Sequence, residues 1–203
     1  MVSVRHMRQR RAWICAGVLL SAGFCYGLAW AREPAAVPPG LSREIIFNVA
    51  ADDGDADGLI RAQVEIAAPP DRVWTVMLDC DRVPRFLTAI KSCKVLETSR
   101  DGLTDIREHR SRWIAFLPET VSVFRSVYAP AREIKFEQIR GDFRVLKGFW
   151  RLEPLKDGAA TRVTYEAHVG VDLPVPRFVV RAALEQDIPG FFAAFRDEVE
   201  AMQ

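Results

Sequence analysis

The chain has few of the side chains with which most enzymes carry out chemistry. Its 203 residues include three histidines and four cysteines, and only His109 and His168 of the histidines lie beyond residue 31. No serine lies in a nucleophile-elbow sequence, and the positions of the cysteines and histidines do not suggest a nucleophilic pair. Internal repeats and low-complexity tracts are also missing. Enzyme signatures are thin, and the sequence alone identifies no catalytic residue.

The chain also lacks an excess of positive charge over most of its length. Four of its 28 lysines and arginines lie in the first 31 residues, which contain no acidic residue. The remaining residues carry 24 basic and 27 acidic side chains, so their net charge is −3. Binding to phosphate backbones needs a basic surface. We therefore expect no nucleic-acid partner.

One long hydrophobic run, Ala12–Trp30, follows a basic stretch that ends at Arg11. Together with the small-x-small sequence Ala29–Trp30–Ala31, it predicts that residues 1–31 are a signal peptide. The run is nearly long enough to cross a bilayer, so an uncleaved N-terminal membrane anchor is the alternative. Both interpretations place the rest of the chain outside the cytoplasm. A cleaved signal gives a periplasmic or secreted protein, and an uncleaved one gives a protein anchored to the membrane.

Two cysteines remain beyond this segment, Cys80 and Cys93. An even number of cysteines in an oxidising compartment favours a disulfide bond. Closing so short a loop would stabilise the fold by about 3 kcal/mol if the effect is entropic. Two reduced thiols are the alternative, and we favour the bond.

Hydrophobic periodicity predicts an α+β domain at residues 44–203, after an extended, Pro- and Ala-rich lead-in at 32–43. The clearest alternation is in Thr161–Leu173, and it indicates an antiparallel sheet with one dry and one wet face. Helices are predicted at Asp71–Asp79 and Arg177–Met202, with one further turn at Arg85–Ala89. Pro189 predicts a kink in the long C-terminal helix. The other strands are predicted at Glu44–Ala50, Gly58–Ala67, Lys91–Thr98, Leu103–Ile114, Val121–Tyr128, Glu133–Ile139 and Lys147–Pro154.

An acidic segment, Asp53–Gly58, matches the first half of a calcium-binding loop. The acidic residue that such a loop needs at its twelfth position is missing, because Val64 stands there. Strands rather than helices flank the segment. We interpret it as a hairpin turn and assign no metal.

Three sequence blocks resemble one known superfamily. They are APPDRVWTVMLDCDRVPRFL at Ala68–Leu87, GDFRVLKGFWRLEP from Gly141 and TRVTYEAHV from Thr161. Together they look like the START-like (SRPBCC) superfamily, which includes polyketide cyclases, plant Bet v type allergens and lipid carriers, and especially like its coenzyme-Q-binding and cyclase/dehydrase-type members. The resemblance covers roughly residues 58–203 and rests on loose motifs, mainly Trp74, Asp79, Pro84, Phe86, Gly148, Trp150 and Tyr165.

The resemblance implies a helix-grip fold, in which a curved antiparallel sheet and a long C-terminal helix enclose a hydrophobic cavity. This fold hosts carriers, cyclases and dehydratases alike, so it does not determine function by itself. An ordinary packed core is the alternative for most of the inward-facing residues. By strand parity and helical periodicity we expect the lining to consist of Phe136, Trp150, Leu152, Tyr165, Ala167, Val169, Ile188, Phe191, Phe192 and Phe195.

The polar stretch Asp105–Arg112 conflicts with a buried strand, because buried charge is costly unless it is paired. Either parity directs charge towards the interior, Glu108, Arg110 and Arg112 on one face or Asp105, Arg107 and His109 on the other. A half-covered sheet with a wet rim is one interpretation. The sharper hypothesis is a polar end of the cavity, where Arg110 and Arg125 receive an anionic or carbonyl-bearing ligand group and Glu108 balances their charge.

These patterns predict an exported protein that binds a hydrophobic small molecule, a lipid or isoprenoid-like compound, without a cofactor and without turning it over. Such a ligand is compatible with a transient contact with a membrane. A polyketide cyclase or dehydratase is the alternative, with Tyr165, Glu108 or Arg110 as acid, base or polarising group. A ligand-free interaction module of the cell envelope is the third hypothesis. The sequence does not reveal the oligomeric state.

Overall fold

The computed structural model describes residues 37–112, 119–172 and 176–202, which belong to one compact unit. Residues 1–31, predicted as a signal peptide, lie outside the described residues. The eight strands form a single sheet in the order β1-β2-β8-β7-β6-β5-β4-β3, and every neighbouring pair is antiparallel. The elements are β1 (Ile46–Ala50), β2 (Gly58–Ile66), α1 (Pro70–Leu78), α2 (Val83–Phe86), β3 (Ile90–Thr98), β4 (Thr104–Ser111), β5 (Thr120–Ala129), β6 (Glu133–Gly141), β7 (Phe143–Leu155), β8 (Ala160–Val171) and α3 (Arg177–Ala201).

The predicted α+β helix-grip fold is confirmed, and most element boundaries agree within a few residues. The largest difference is at β7, which begins at Phe143 rather than Lys147. A register shift between Phe143 and Val145 interrupts the period-two pattern there, so the sequence hides the start of this strand. A turn at Lys156–Gly158 joins β7 to β8, and its last residue has a φ of 87° that glycine adopts without strain.

The two faces of the sheet differ in polarity as the alternation predicted. On the inner face, which α3 covers in part, alternate residues of β2 and β8 form the core: Ile60, Val64 and Val163 are almost completely buried. On the outer face the same strands carry ion pairs such as Arg61–Glu166, whose atoms lie 2.9 Å apart. Burial of one face only is typical of an antiparallel sheet with solvent on the other side.

Helix α1 begins with Pro70 in its first turn, where the missing backbone N–H costs nothing. Asp71 follows and interacts favourably with the positive end of the helix. The helix buries Val73 and Val76 in the core. A disulfide joins Cys80, just after α1, to Cys93 of the edge strand β3, with their Cα atoms 5.1 Å apart. The two helices between β2 and β3 are thereby fixed to the sheet covalently.

Helix α3 consists of two halves with different packing. Its buried residues are Ile188, Phe192, Phe195, Arg196 and Val199, all in the second half. Among residues 177–187 none is buried, and Phe178 is 63% exposed. The helix continues through Pro189, which removes one backbone donor near the boundary between the halves.

None of the helices formed by the described residues is both long and apolar enough to cross a bilayer.

Candidate functional site

The inner face of the sheet changes from apolar to polar across its width. The strand register places Tyr128, Ile134, Trp150 and Tyr165 in one row across β5, β6, β7 and β8. Beyond β5, the strand β4 pairs Asp105 with Ser126, Arg107 with Phe124 and His109 with Ser122. These β4 side chains therefore share the inner face with the apolar residues of the core.

An aromatic cluster fills the apolar side, next to the second half of α3. The Trp150 ring lies 4.2 Å from the ring of Tyr165, centroid to centroid. It also contacts Phe191, Phe192 and Phe195 of α3, at 5.9, 5.8 and 5.9 Å. Tilted and edge-on contacts of this kind stabilise a cluster beyond the burial of its apolar area.

Aromatic rings continue from this cluster across the sheet to β4. His109 contacts the Phe124 ring at 4.7 Å, Phe124 lies 6.4 Å from Phe136, and Phe136 stacks at 6.3 Å on Tyr165. We call His109, Phe124, Phe136, Tyr165 and Trp150 the aromatic path. It crosses the concave face from a polar strand at one end to α3 at the other.

Gly148 makes room for the aromatic path where the path crosses β7. A Cβ atom at this position would lie 2.0 Å from the Glu166 carbonyl oxygen and 2.9 Å from Cζ of Phe136. Both distances are shorter than contacts that side chains tolerate. The missing side chain allows the Phe136 ring to lie across β7 and reach Tyr165.

Several rings of this region are only partly buried, although they pack against the core. Phe136, Trp150, Tyr165 and Phe191 keep partial exposure, whereas Phe192 and Phe195 are almost fully buried. Burial raises the pKa of the Tyr165 hydroxyl. Within the described part of the chain, no side chain or backbone group hydrogen-bonds to that hydroxyl. These four rings therefore keep accessible apolar surface beside a closed core, as a site for an apolar ligand requires.

The polar end of the inner face contains a buried ion pair. Arg107 Nε donates to Asp105 Oδ2 at 2.7 Å, and the two side chains are 7% and 4% exposed. Asp105 Oδ1 and the Tyr128 hydroxyl are buried near each other, and neither makes a hydrogen bond of regular geometry with a described residue. Burial, followed by the neighbouring Asp105, raises the pKa of Tyr128. Trp74 of α1 covers this end with an edge-on contact to Tyr128 at 5.6 Å.

His109 lies at the polar end of the aromatic path. Burial, and then the nearby Arg107 guanidinium, lowers its pKa to about 4, so the imidazole is neutral at pH 7. Its Nε2 atom is buried and makes no hydrogen bond to any described residue. A buried polar atom without a partner is unusual in proteins. A ligand that reaches this atom would supply the missing hydrogen bond.

The sequence left the parity of the polar strand open, and in the structure Asp105, Arg107 and His109 face inwards, contrary to the hypothesis that Glu108, Arg110 and Arg125 form the polar end of a cavity. Glu108 and Arg110 face outwards, where Arg110 Nε donates to Glu108 Oε1 at 2.9 Å and Arg110 is 47% exposed. Arg125 pairs across strands with outward-facing Ile106 and Glu137. Asp105 and Arg107 can face inwards because each neutralises the other. Glu108, Arg110 and Arg125 therefore lie on the opposite face from the aromatic path.

The ten apolar residues predicted to line a cavity all belong to the inner face or to α3. Six of them are core residues with little exposed surface: Leu152, Ala167, Val169, Ile188, Phe192 and Phe195. Phe136, Trp150, Tyr165 and Phe191 are the four that are only partly buried. The sequence analysis did not include Trp74, Phe124 or Tyr128 among the site residues. Phe124 and Tyr128 lie four residues apart on β5, so strand alternation places them on the same face and could have indicated them.

Two shallow grooves lie on the described surface away from α3. One, of about 360 Å³, lies on the outer face between Leu96, Ile106, Val123 and Ile139. A smaller one, of about 160 Å³, lies where β6 and β7 separate near their connecting turn. Neither groove is bordered by a described residue of α3.

Comparison with known proteins identifies the family. The family described as polyketide cyclase / dehydrase and lipid transport matches residues 66–196. The chain belongs to this family. A protein of Streptomyces cyaneus, described as a candidate polyketide cyclase, is 24% identical to this family member over 143 residues, which are 68% of the chain and 91% of the relative.

Solved structures with the same fold include a lipid transfer protein and an aromatase/cyclase. A START superfamily protein from Mycobacterium smegmatis is 20% identical, with a TM-score of 0.63 over 71% of this chain and 99% of its own. A STAR-related lipid transfer protein from Xanthomonas axonopodis is 18% identical, with a TM-score of 0.62 over 78% and 94%. The Zhui aromatase/cyclase from Streptomyces sp. R1128 is 18% identical, with a TM-score of 0.59 over 70% and 93%. At these identities the likeness establishes the fold.

Proposed function

We propose that the protein is a carrier that binds a hydrophobic small molecule, a lipid or isoprenoid-like compound, along the aromatic path between the sheet and α3. The observation that carries this proposal is the partial exposure of Phe136, Trp150, Tyr165 and Phe191 beside a closed core. Each Å² of apolar surface removed from water contributes about 25 cal/mol. Burying roughly 400 Å² of ligand would thus contribute about 10 kcal/mol, before the cost of association is subtracted.

The polar end of the inner face gives such a ligand an orientation. Asp105 Oδ1, the Tyr128 hydroxyl and His109 Nε2 are the unpaired buried atoms there. A ligand with one polar end would place that end near β4 and its apolar body on the rings. The residues that we assign to this polar end replace Glu108, Arg110 and Arg125, which lie on the outer face.

Export of this carrier is part of the same proposal. Its support is the basic N-terminus, the run Ala12–Trp30 and the small residues Ala29 and Ala31. The Cys80–Cys93 disulfide agrees with an oxidising compartment. A carrier outside the cytoplasm would work close to membranes, where lipids are available and transient contact with a bilayer can occur.

Native mass spectrometry and organic extraction of freshly purified protein test the carrier. We expect one lipid-like species to accompany the wild type, and its occupancy to fall at least fivefold in Phe136→Ala because the ring at the centre of the aromatic path is lost. Phe149→Ala is the matched control, since Phe149 lies on the outer face, where Arg151 stacks over its ring at 5.0 Å. Full ligand occupancy in Phe136→Ala would contradict the proposal. So would wild-type protein that neither retains nor binds any apolar compound, and that result would favour the ligand-free interaction module.

A cyclase or dehydratase is a second candidate function. The buried, unpaired polar atoms of Asp105, His109 and Tyr128 beside aromatic rings favour it, since such groups could act as acid, base or polarising group. Turnover of an aromatic polyketide-like substrate that is abolished by His109→Gln or Tyr128→Phe, in variants that still bind the substrate, would establish it. Glu108→Gln is the outer-face control, and its activity should be unchanged.

A further inference from the structure

We infer that the ligand presents an uncharged hydroxyl group to His109 at the polar end of the aromatic path, and that the site discriminates against a carboxylate on the same apolar chain. This inference rests on the proposed binding function, and it names the chemical class of the ligand. Its basis is the position of one unpaired atom, the direction of the aromatic path and the charge balance around the imidazole.

The geometry brings the end of an apolar ligand to His109. The aromatic path ends at this imidazole, whose centroid lies 4.7 Å from that of Phe124 in an edge-on arrangement. His109 Nε2 is buried without a partner in the described structure. A molecule that covers Phe136 and Phe124 would end beside this imidazole, and a small movement of the side chains that now enclose Nε2 would let the two form a hydrogen bond.

A hydroxyl is the group that fits this atom in either form of the neutral imidazole. Nε2 donates in one tautomer and accepts in the other, and a hydroxyl can accept or donate. A carbonyl can only accept, so it would pair with one tautomer alone. An apolar end would leave Nε2 unpaired, which costs free energy in a buried site.

Among the described residues, the one cation that acts on His109, Arg107, is already paired with a carboxylate, so an anion buried beside the imidazole would have no ion-pair partner of its own. On its own strand Arg107 is already paired with Asp105 at 2.7 Å. The neighbours across the strands are Cys93 on β3, which is in the disulfide, and Ser122 on β5, which is uncharged. Because the pKa of His109 is lowered to about 4, only about one imidazole in a thousand is protonated at pH 7. A carboxylate would be buried there as an unpaired negative charge.

Competition binding with three compounds of equal chain length tests the inference. A primary alcohol, the fatty acid and the alkane would displace a fluorescent apolar probe from the full-length protein near pH 7, where the fatty acid in water is ionised. We expect the alcohol to bind at least about tenfold more tightly than the acid. In His109→Phe, which keeps an aromatic ring against Phe124, the alcohol should lose about tenfold in affinity and the alkane should lose little.

Two further variants separate the hydroxyl contact from a general loss of packing. His109→Gln keeps a neutral hydrogen-bonding group, so it should retain part of the preference for the alcohol. His168→Phe changes the outward-facing histidine of β8 and should leave all three affinities unchanged. Equal losses for alcohol and alkane in His109→Phe, or tighter binding of the acid than of the alcohol by the wild type, would overturn the inference while leaving the carrier intact. If none of the three compounds binds, the carrier proposal fails and the inference fails with it.

Discussion

Two ion pairs with the same spacing lie on opposite faces of β4. Asp105 and Arg107 form a buried pair, and Glu108 and Arg110 form a partly exposed one. Removing one partner of a buried pair leaves an uncompensated charge in the interior, whereas exposed pairs contribute little. Asp105→Ala should therefore reduce the free energy of unfolding by about 3–5 kcal/mol, and Glu108→Ala by less than about 1 kcal/mol. Urea denaturation of both variants measures the difference.

A double variant shows whether the loss comes from the unpaired charge. Asp105→Leu combined with Arg107→Met removes both charges and keeps apolar volume, so it should be markedly more stable than Asp105→Ala. Equal destabilisation by Asp105→Ala and Glu108→Ala would contradict the assigned parity of β4.

His109 should make the stability of the protein depend on pH. Its pKa is about 4 in the folded state against 6.5 ordinarily, so the unfolded state binds the proton first as the pH falls. The free energy of unfolding should therefore be unaffected by this group above about pH 6.5 and should decrease between pH 6.5 and 4. At pH 5 the shift corresponds to about 2 kcal/mol. His109→Phe should lose this part of the pH dependence, as urea titrations at pH 7 and pH 5 would reveal.

Carboxylates also titrate in this range and change the free energy of unfolding. The decrease between the two pH values therefore has to be compared between the wild type and His109→Phe. The decrease from pH 7 to pH 5 should be about 2 kcal/mol larger in the wild type than in His109→Phe. Identical decreases would mean that the imidazole takes up its proton in the folded state as readily as in the unfolded one.

Charge on both faces of β4 explains why the polar end of the site could not be predicted from the sequence. Asp105–Arg107 and Glu108–Arg110 have the same i, i+2 spacing, so alternation alone cannot show which pair is inside. The answer comes from the register with β5, which places Arg107 opposite Phe124 and Arg110 opposite Val121. Apolar residues carry no such ambiguity in β8, where the burial of Val163, Ala167 and Val169 follows the predicted pattern.

At the scale of elements, the two halves of α3 should differ in local stability. The second half buries Phe192, Phe195 and Val199 almost completely, whereas residues 177–187 contribute no buried side chain. An ion pair connects the first half of α3 to the rest of the fold. Asp57 pairs with Arg177 Nε of the helix at 3.3 Å and with Arg144 Nη2 of β7 at 2.7 Å. Amide hydrogens of residues 180–187 should exchange at least about tenfold faster than those of residues 192–199.

The link through Asp57 can be tested in the same exchange experiment. Asp57→Asn removes the charge of a nearly buried carboxylate, and exchange in residues 180–187 should accelerate further, while that in residues 192–199 stays unchanged. Asp172→Asn is the matched control, because Asp172 pairs with the same Arg144 but is 73% exposed. Equal exchange in both halves of the wild type would mean that α3 is one cooperative unit.

Elements were predicted more completely than the site they form. Alternation and helical spacing located eight strands and the long helix because one face of each element is apolar. What the sequence could not show is how far α3 extends over the sheet, since this depends on packing between distant residues. The helix lies against β1, β2, α1 and α2 and contacts Trp150 of β7, so the rings on β5 and β6 extend the candidate site beyond the residues that α3 itself contacts.

At the scale of the whole molecule, the remaining prediction concerns residues 1–31. If they are a cleaved export signal, protein recovered from the periplasm of expressing cells should begin at Arg32 and contain no thiol that can be alkylated, because Cys15 and Cys25 are removed and Cys80 is bonded to Cys93. Intact-mass measurement with and without alkylation tests both statements. A variant with Ala29→Leu and Ala31→Leu should keep the segment, because the cleavage site needs small residues. Full-length wild-type protein in the membrane fraction would identify the segment as an anchor, and full-length protein in the cytosol would contradict export in either form.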